Sequence, residues 1–525
     1  MTNRQDQQPP AGSEAGARST DGWSISETLR DRRLLVTGTT GFLGKVYASM
    51  LLRFHPDIDQ LYLMIRSRSD RTPEQRFESS LVNSPVFDPL REVYGEAFGE
   101  FLDEKITILD GDITSDYLGL QADRAAEISE AVDAVINCAG LTNFNPNLES
   151  ALSINTLAQR NFLEFLRLAD DPGAYLHVST CFVAGNQSGR VPEVLPDATT
   201  YPRYEELGVE LDAEREIEDC LALVDHAEKL ADDQERQSRF AQKARQRLAD
   251  KNLPTSDDEL FDEAYERARD RWLYDRLSDE GLERAEHWGW PNIYTYTKSL
   301  GERILADVDD LDVSICRPAI IETSLAYPKR GWIQGVNTSG PLSYLMYKGH
   351  RMVPTHPEMR VDMIPADFVS SAMIAMTAGL IDGRHHDVYQ LGSGDRNPVS
   401  GERVIELTQL GARKLAEEDH ELSGLQKLIV RNADSIAVSP QKFHNMSAPR
   451  VRQATEGVKG LLDRVPTDML GGFGQAVEAV KGAVDSAHKA ALTTEKFFEI
   501  FLPFIAENRY IFEYQNHADL VADLS

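Results

Sequence analysis

The chain has 525 residues, of which 41% are apolar and 27% charged, a composition typical of globular proteins. Its 85 acidic and 55 basic residues give a formal net charge of −30. A surface of that sign repels phosphate backbones, which argues against a partner made of nucleic acid. Residues 1–23 have no apolar core like that of a signal peptide and predict a flexible tail. The four cysteines show no CxxC spacing, so we expect no metal site and a reducing, cytoplasmic location.

From about residue 24 to residue 194, short β-branched runs alternate with amphipathic segments such as Gly41–Phe54, which predicts a helix. This alternation predicts βαβ units and an α/β fold built on a Rossmann-type, doubly wound parallel sheet. The predicted strands are Arg33–Thr37, Leu61–Arg66, Ile106–Leu109, Ala134–Asn137, Tyr175–Ser179, Val313–Pro318 and Val388–Leu391.

Two further regions have helical rather than strand patterns. Residues 195–290 are dense in charge, which predicts a helical insertion that is either a solvated surface or a lid. After residue 399 the strand signals fade, and 401–417 and 493–505 show helical periodicity. The predicted organisation is a tail at 1–23, an α/β domain at 24–399 and a C-terminal helical domain at 400–525.

A glycine-rich turn joins the first predicted strand to the first long helix. Its G-x-x-G-x-x-G spacing permits a tight turn, close approach of a pyrophosphate and close packing of helix on strand. A P-loop is disfavoured because Gly44, which precedes Lys45, lies six residues after Gly38, one more than that motif allows. We therefore predict that a dinucleotide contacts this turn, through Gly38, Thr39, Thr40, Gly41, Phe42, Leu43 and Gly44.

The end of the second predicted strand carries two arginines, Arg66 and Arg68, where an NAD-specific site usually has a carboxylate. Guanidinium groups suit a 2′-phosphate, so this pair predicts NADPH as the cofactor. Asp112 and Ile113 follow the third strand and are predicted to reach the adenine edge, although Gly-Asp is also ordinary turn chemistry.

Tyr294 and Lys298 are four residues apart, which places them on one face of a helix. A nearby ammonium favours the phenolate and would make the tyrosine a usable acid–base group. Tyr296 is a competing candidate in the same stretch. Ser179 and Thr180 supply hydroxyls at the carboxyl end of a strand, where α/β sheets bind ligands.

Together these motifs resemble the extended short-chain dehydrogenase/reductase superfamily, and more narrowly the alcohol-forming fatty acyl-CoA reductases. The resemblance spans about residues 32–398 and rests on blocks in family order. These blocks are residues 37–45, 63–66, 178–183, 294–298, 317–322 and 331–335. The early blocks are shared with thioester reductase domains of carboxylic acid reductases. Cys138-Ala139-Gly140 departs from an Ala-Ala that is frequent in the family.

The resemblance implies roles for individual residues. Tyr294 would donate the proton, and Lys298 would be its partner and contact the ribose. Thr180 is favoured over Ser179 as the oxyanion donor. Asn155 matches an asparagine that shapes the site, or is a satisfied amide inside a helix. Pro318 and Ile320 would lie along the nicotinamide.

The implied reaction is the NADPH-dependent reduction of a long-chain acyl-CoA, or of an acyl-carrier-protein thioester, through an aldehyde to the primary alcohol. Alternatives are a two-electron reductase that releases aldehyde, a sugar-nucleotide epimerase or dehydratase, and a noncatalytic NADP-binding protein. The C-terminal segment 494–512 is rich in apolar side chains, which form helix core or else an acyl-tunnel or membrane-contacting face. They are Phe497, Phe498, Ile500, Phe501, Leu502, Phe504 and Ile505.

Overall fold

The structure is a computed structural model that describes residues 23–335, 339–347, 350–356, 358–418, 434–446 and 498–522, with the single positions 456, 488, 492, 494, 495 and 524. The predicted tail, apart from Trp23, and Phe497 lie outside the described residues. Trp23 itself is buried and forms an isolated parallel bridge with Leu524.

Parallel pairing dominates the strands. In chain order they are β1 (Arg33–Thr37), β2 (Gln60–Met64), β3 (Ile106–Leu109), β4 (Ala134–Asn137), β5 (Ala174–Val178), β6 (Gly189–Val191), β7 (Val313–Pro318), β8 (Ile320–Glu322), β9 (Met352–Pro354), β10 (Met363–Pro365), β11 (Val388–Leu391), β12 (Ile436–Val438) and β13 (Tyr510–Phe512).

Seven of these strands form one parallel sheet with the order β3-β2-β1-β4-β5-β7-β11. The order reverses direction between β1 and β4, which defines the switch point where such sheets bind ligands. The predicted doubly wound sheet is confirmed, and each predicted strand agrees with the structure to within two residues.

The helices flank the sheet. They are α1 (Ile25–Leu29), α2 (Phe42–Phe54), α3 (Pro73–Phe77), α4 (Asp88–Tyr94), α5 (Phe98–Lys105), α6 (Ala122–Ala131), α7 (Leu148–Ala151), α8 (Ala158–Leu166), α9 (Tyr204–Leu207), α10 (Ala213–Ala231), α11 (Gln234–Asp250), α12 (Asp258–Trp288), α13 (Ile293–Ala306), α14 (Gly340–Tyr347), α15 (Ala366–Ile381), α16 (Gly401–Glu418), α17 (Pro440–Met446) and α18 (Gln515–Ala522). Among the described residues, no helix combines the length and apolar character needed to cross a membrane.

Both faces of the sheet are buried, because successive residues of a strand point to opposite sides. Leu34 and Val36 of β1 pack in one core with α2 and α15, whereas Leu35 packs in a second core with α8 and α13. This explains why the strand sequences read as continuous apolar runs rather than as alternating ones.

The insertion at 195–290 is helical, as predicted, and forms α9 to α12. It is more than a solvated surface, because Ile217 and Cys220 of α10 and Leu277 of α12 belong to the second core. Through these side chains the insertion packs against α13, the helix that carries Tyr294. In the part of the chain that the structure describes, no insertion residue lines the central cavity.

The described residues beyond 399 pack against the rest of the molecule at several places, among them α16 on α14. Strand β13 pairs with β6, β12 pairs with β9, and Leu520 of α18 enters the first core. Helix α16 coincides with the predicted helical segment. The boundary between residues 399 and 400 stays a prediction.

Candidate active site

The glycine-rich turn leaves β1 at the switch point and starts α2. Gly38 has φ +73°, and a Cβ there would collide with the Cys138 backbone at the end of β4. A Cβ on Gly44 would lie 2.6 Å from the Gly38 carbonyl oxygen. Both positions therefore require glycine, and the turn forms the cradle that a pyrophosphate needs at the amino end of a helix.

The other residues of the turn divide between cavity and interior. Gly41, Phe42 and Leu43 line the central cavity, and the Phe42 ring stacks on Trp332 with centroids 5.5 Å apart. Thr39 is fully buried, and its hydroxyl has no hydrogen-bond partner among the described residues. Thr40 instead accepts a hydrogen bond from Arg76, with Arg76 Nη2 3.4 Å from Thr40 Oγ1.

The arginines beyond β2 form a positive cluster. Arg76 donates to the Arg66 carbonyl oxygen. Burial lowers the pKa of the Arg76 guanidinium, and the charges of Arg68, Arg66 and Arg71 lower it further. Arg66 pairs with Asp112 and Arg71 with Asp70, but the basic groups still repel one another around Arg76, so this corner suits a further anion.

Sequence reasoning missed Arg76, although a signal was present. Thr72 and Gln75 form a capping box around Pro73, which marks the start of a helix. That helix, α3, brings Arg76 back beside the glycine-rich turn.

Asp112 is held by its neighbours. Its carboxylate accepts hydrogen bonds from Arg66 (Nη1 to Oδ2, 3.0 Å) and from the Thr114 amide and hydroxyl. Partial burial acts to raise the pKa of Asp112, but these hydrogen bonds outweigh it and lower the pKa. Ile113 is partly buried, and its carbonyl accepts from Asn161. Neither residue lines the central cavity; both lie at the carboxyl end of β3.

Tyr294 and Lys298 share one face of α13 and line the cavity together. Lys298 is buried, and its Nζ donates to the Val178 carbonyl oxygen at 2.9 Å. Burial lowers the pKa of Lys298 to about 8, although Glu302 opposes this effect. The lysine is thus locked between α13 and the end of β5.

The expected effect of Lys298 on Tyr294 is absent. Burial raises the pKa of Tyr294 to about 12, although a hydrogen bond with the Thr180 side chain opposes the shift. The expectation of a phenolate near neutral pH was therefore wrong. Desolvation dominates, and the phenol is neutral in this structure.

Ser179 and Thr180 both line the cavity but differ in their partners. Thr180 forms a side-chain hydrogen bond with Tyr294 and accepts from the Phe182 amide at 3.3 Å. The Ser179 hydroxyl is buried and has no partner among the described residues. Thr180 is thus the residue that fixes the phenol, and Ser179 keeps an available donor.

Asn155 lies behind the cavity in a π-helical segment, Leu152–Leu157. Its Oδ1 accepts from the Leu141 amide at 2.9 Å, and its Nδ2 donates to the Leu141 carbonyl and to Thr297. The amide is fully satisfied, and it ties the loop after β4 to α13. These bonds are compatible with both predictions for Asn155, a residue that shapes the site and a satisfied amide inside a helix.

Tyr296 points away from the cavity. Its hydroxyl donates to the buried Glu216 carboxylate and lies 3.2 Å from Cys220 Sγ, both on α10. Arg284 of α12 forms a bidentate pair with Glu216 at 2.7 and 2.6 Å. Tyr296 therefore anchors the insertion to α13, and the geometry leaves Tyr294 as the phenol in the cavity.

One cavity of about 440 Å³ joins these groups. Pro318, Ile320 and Cys138 line it beside the glycine-rich turn; burial raises the pKa of Cys138 to about 12, so the thiol is neutral. Away from the turn the lining is mostly apolar. It includes Leu342, Val353, Pro354, Val404, Ile405, Phe501, Phe504 and Ile505, together with the polar Glu322 and Thr355.

Residues 36–373 match the model of an NAD-binding family described as male sterility protein. The chain belongs to this family. It is 30% identical to an alcohol-forming fatty acyl-CoA reductase of Simmondsia chinensis, over 72% of this chain and 69% of that protein. It is 31% identical to fatty acyl-CoA reductase 8 of Arabidopsis thaliana, with the same two coverages.

More distant comparisons agree on the fold. Fatty acyl-CoA reductase 2 of Homo sapiens is 24% identical over 73% of this chain and 61% of that protein. The terminal R domain of the myxalamid PKS-NRPS pathway superimposes with a TM-score of 0.53 and 15% identity, over 94% of this chain and 85% of that domain. At that identity the likeness shows the fold alone.

Proposed function

We propose that this protein reduces long-chain fatty acyl-CoA thioesters to primary alcohols with NADPH, through an aldehyde. The observation that carries the proposal is the single cavity in which a dinucleotide-binding turn, the pair Tyr294–Lys298 and a long apolar wall meet. Membership of a family that contains alcohol-forming fatty acyl-CoA reductases supports it.

The residues present fit a bound NADP(H). The cradle at Gly38 and Gly44 would hold the pyrophosphate, and Arg66, Arg68 and Arg76 would hold the 2′-phosphate. When bound, this cofactor supplies a hydride to the carbonyl carbon in each half-reaction. Lys298 lies where it would contact the ribose, and Pro318 and Ile320 would flank the nicotinamide.

Tyr294 acts on the carbonyl oxygen. With its pKa raised to about 12, the phenol is protonated at neutral pH and donates a hydrogen bond to the developing oxyanion. Thr180 holds the phenol in place and, with Ser179, offers hydroxyls at the same end of β5. We propose Thr180 as the second oxyanion donor, as the resemblance implies, with Ser179, whose hydroxyl has no other partner among the described residues, as the alternative.

The reaction consists of two half-reactions, reduction of the thioester to the aldehyde and reduction of the aldehyde to the alcohol. In the first, the thioester gains a hydride, the C–S bond of the hemithioacetal breaks, and CoA leaves as a thiolate that takes up a proton. In the second, the aldehyde gains a hydride at carbon and a proton from Tyr294 at oxygen. Each turnover to alcohol therefore consumes two NADPH and two protons and releases one CoA.

The apolar end of the cavity favours a fatty acyl chain over a sugar nucleotide, because its lining offers few polar partners for hydroxyl groups. We propose CoA as the carrier and an acyl-carrier protein as the alternative. A reducing, cytoplasmic location is consistent with four free cysteines.

The test is the ratio of NADPH oxidised to CoA released with palmitoyl-CoA, measured beside gas-chromatographic analysis of the products. We expect a ratio near two and hexadecanol. A ratio near one with accumulating hexadecanal would identify a two-electron thioester reductase. No oxidation of bound NADPH would indicate a noncatalytic binding protein.

A further inference from the structure

Four aromatic rings line the cavity beside Tyr294. Phe144 comes from the loop after β4, Phe182 from the turn after β5, and Phe501 and Phe504 from the C-terminal segment. All four line the same cavity as Tyr294 and Lys298. We call them the aromatic wall.

The rings of the aromatic wall contact one another closely. Phe144 stacks on Phe504 with centroids 5.4 Å apart and meets Phe501 edge-on at 5.3 Å. Phe182 meets Phe504 edge-on at 5.0 Å. These are the separations at which aromatic pairs attract each other, so the wall is a packed unit.

The wall is also fixed relative to the catalytic phenol. The Phe144 carbonyl oxygen accepts a hydrogen bond from the Tyr294 amide at 3.1 Å, and the two rings lie edge to face at 6.4 Å. A substrate carbonyl bonded to Tyr294 would thus have its first methylenes against these rings.

The C-terminal half of the wall is held by hydrogen bonds at the residues that follow Phe504. Thr355 Oγ1 donates to the Ile505 carbonyl at 2.7 Å, and Asn508 Nδ2 donates to Asn186 Oδ1 at 3.0 Å. Farther on, β13 pairs with β6. The wall is therefore preformed by contacts that do not involve the glycine-rich turn.

We infer that the aromatic wall retains the aldehyde between the two hydride transfers, and that it sets the number of electrons delivered per thioester. The inference rests on the proposed function. The aldehyde has lost its CoA anchor when the C–S bond breaks, so apolar contact is what keeps it in place while the oxidised cofactor leaves. The bonds that hold the wall do not involve the glycine-rich turn, so the wall stays in place during that exchange.

The test uses Phe504→Leu and, as a second variant, Phe144→Leu, with palmitoyl-CoA, NADPH and a trap for free aldehyde. At saturating palmitoyl-CoA, we expect the NADPH-to-CoA ratio to fall from about two toward one, with hexadecanal in the trap. We also expect binding of hexadecanal to the cofactor-free protein, measured by equilibrium dialysis, to weaken about tenfold.

Phe512→Leu is the matched control. The Phe512 ring packs edge-on against Phe182 at 5.5 Å in the same apolar cluster, but it does not line the cavity. If Phe512→Leu releases as much hexadecanal as the wall variants, or if the NADPH-to-CoA ratio is unchanged in both wall variants, the inference is overturned while the proposed function stands. A ratio near one in the unmodified protein overturns both.

Discussion

The two sides of the cavity are built in different ways. The cofactor side consists of turns that leave neighbouring strands at one sheet edge, so short contiguous motifs define it. The acyl side is assembled from a loop near residue 144, helices near 342 and 404, and the segment around 504. Contiguous motifs therefore determine which cofactor binds, whereas apolar residues that are far apart in the chain determine which acyl chain binds.

If this division is correct, substitutions should separate into three kinds. Changes on the cofactor side should alter the KM for NADPH. Changes on the acyl side should alter the preferred chain length and the product. Changes at Tyr294, the junction where the two sides meet, should impair both half-reactions together.

The largest effect is expected at the junction. Tyr294→Phe removes the proton donor and should lower turnover by about 10²–10⁴ with palmitoyl-CoA and with added hexadecanal alike. NADPH binding, measured by fluorescence titration, should stay nearly unchanged.

Tyr296→Phe is the control for that variant, since it removes a phenol two residues away that lies outside the cavity. It should destabilise the fold by about 1–3 kcal/mol, because the buried Glu216 loses a hydrogen bond. Its turnover should remain within about fivefold of the unmodified protein. A loss as large as that of Tyr294→Phe would mean that the wrong phenol has been assigned.

On the cofactor side, Arg66→Ala, Arg68→Ala and Arg76→Ala should each raise the KM for NADPH about tenfold or more, because a hydrogen bond to a charged phosphate contributes roughly 1.5–3 kcal/mol. The KM for NADH should change far less. Arg167→Ala, which breaks a surface pair with Asp310, is the control. Equal effects on the KM values for NADPH and NADH would show that these arginines do not contact the 2′-phosphate.

On the acyl side, Val404→Trp should fill part of the apolar end. Displacing two methylenes of a bound chain costs about 1.6 kcal/mol at ~0.8 kcal/mol each, so kcat/KM for palmitoyl-CoA should fall about tenfold relative to octanoyl-CoA. Leu407→Trp lies on the same helix but is exposed and outside the cavity lining. That control should leave the ratio of kcat/KM for palmitoyl-CoA to kcat/KM for octanoyl-CoA unchanged. A similar shift in both variants would show that Val404 does not contact the acyl chain.

The smallest expected effect is a pH shift. Because burial lowers the pKa of Lys298 to about 8, the ammonium is lost as pH rises through that value. The kcat/KM for the free enzyme should therefore decline above about pH 8. Lys298→Arg should be less active overall but should move the decline upward by a unit or more, because guanidinium stays protonated. If kcat/KM declines at the same alkaline pH in both proteins, the decline comes from the titration of another group.

The difference between the two sides also explains how much the sequence could predict. Strands, the glycine-rich turn and the Tyr294–Lys298 pair follow from local periodicity and spacing, and the structure places them at one sheet edge. The direction of the pKa shift of Tyr294 could not be predicted, because it depends on burial by residues distant in the chain. The contact between Phe144 and Phe504 was equally out of reach, since the two residues are 360 positions apart, although the sequence already offered the segment 494–512 as an acyl-tunnel face.

The attachment of the C-terminal segment has a consequence for the order in which the protein is assembled during synthesis. Thr37 and Asn137, whose side chains bond across the switch point, are 100 residues apart, whereas the bond from Tyr510 to the Gly185 carbonyl spans 325 residues. At ~5–20 residues per second, the ribosome needs roughly 15–65 s to pass from Gly185 to Tyr510. The cofactor edge therefore emerges long before the segment that completes the acyl side, and during that interval the apolar surface destined for Phe504 is open to solvent and to chaperones.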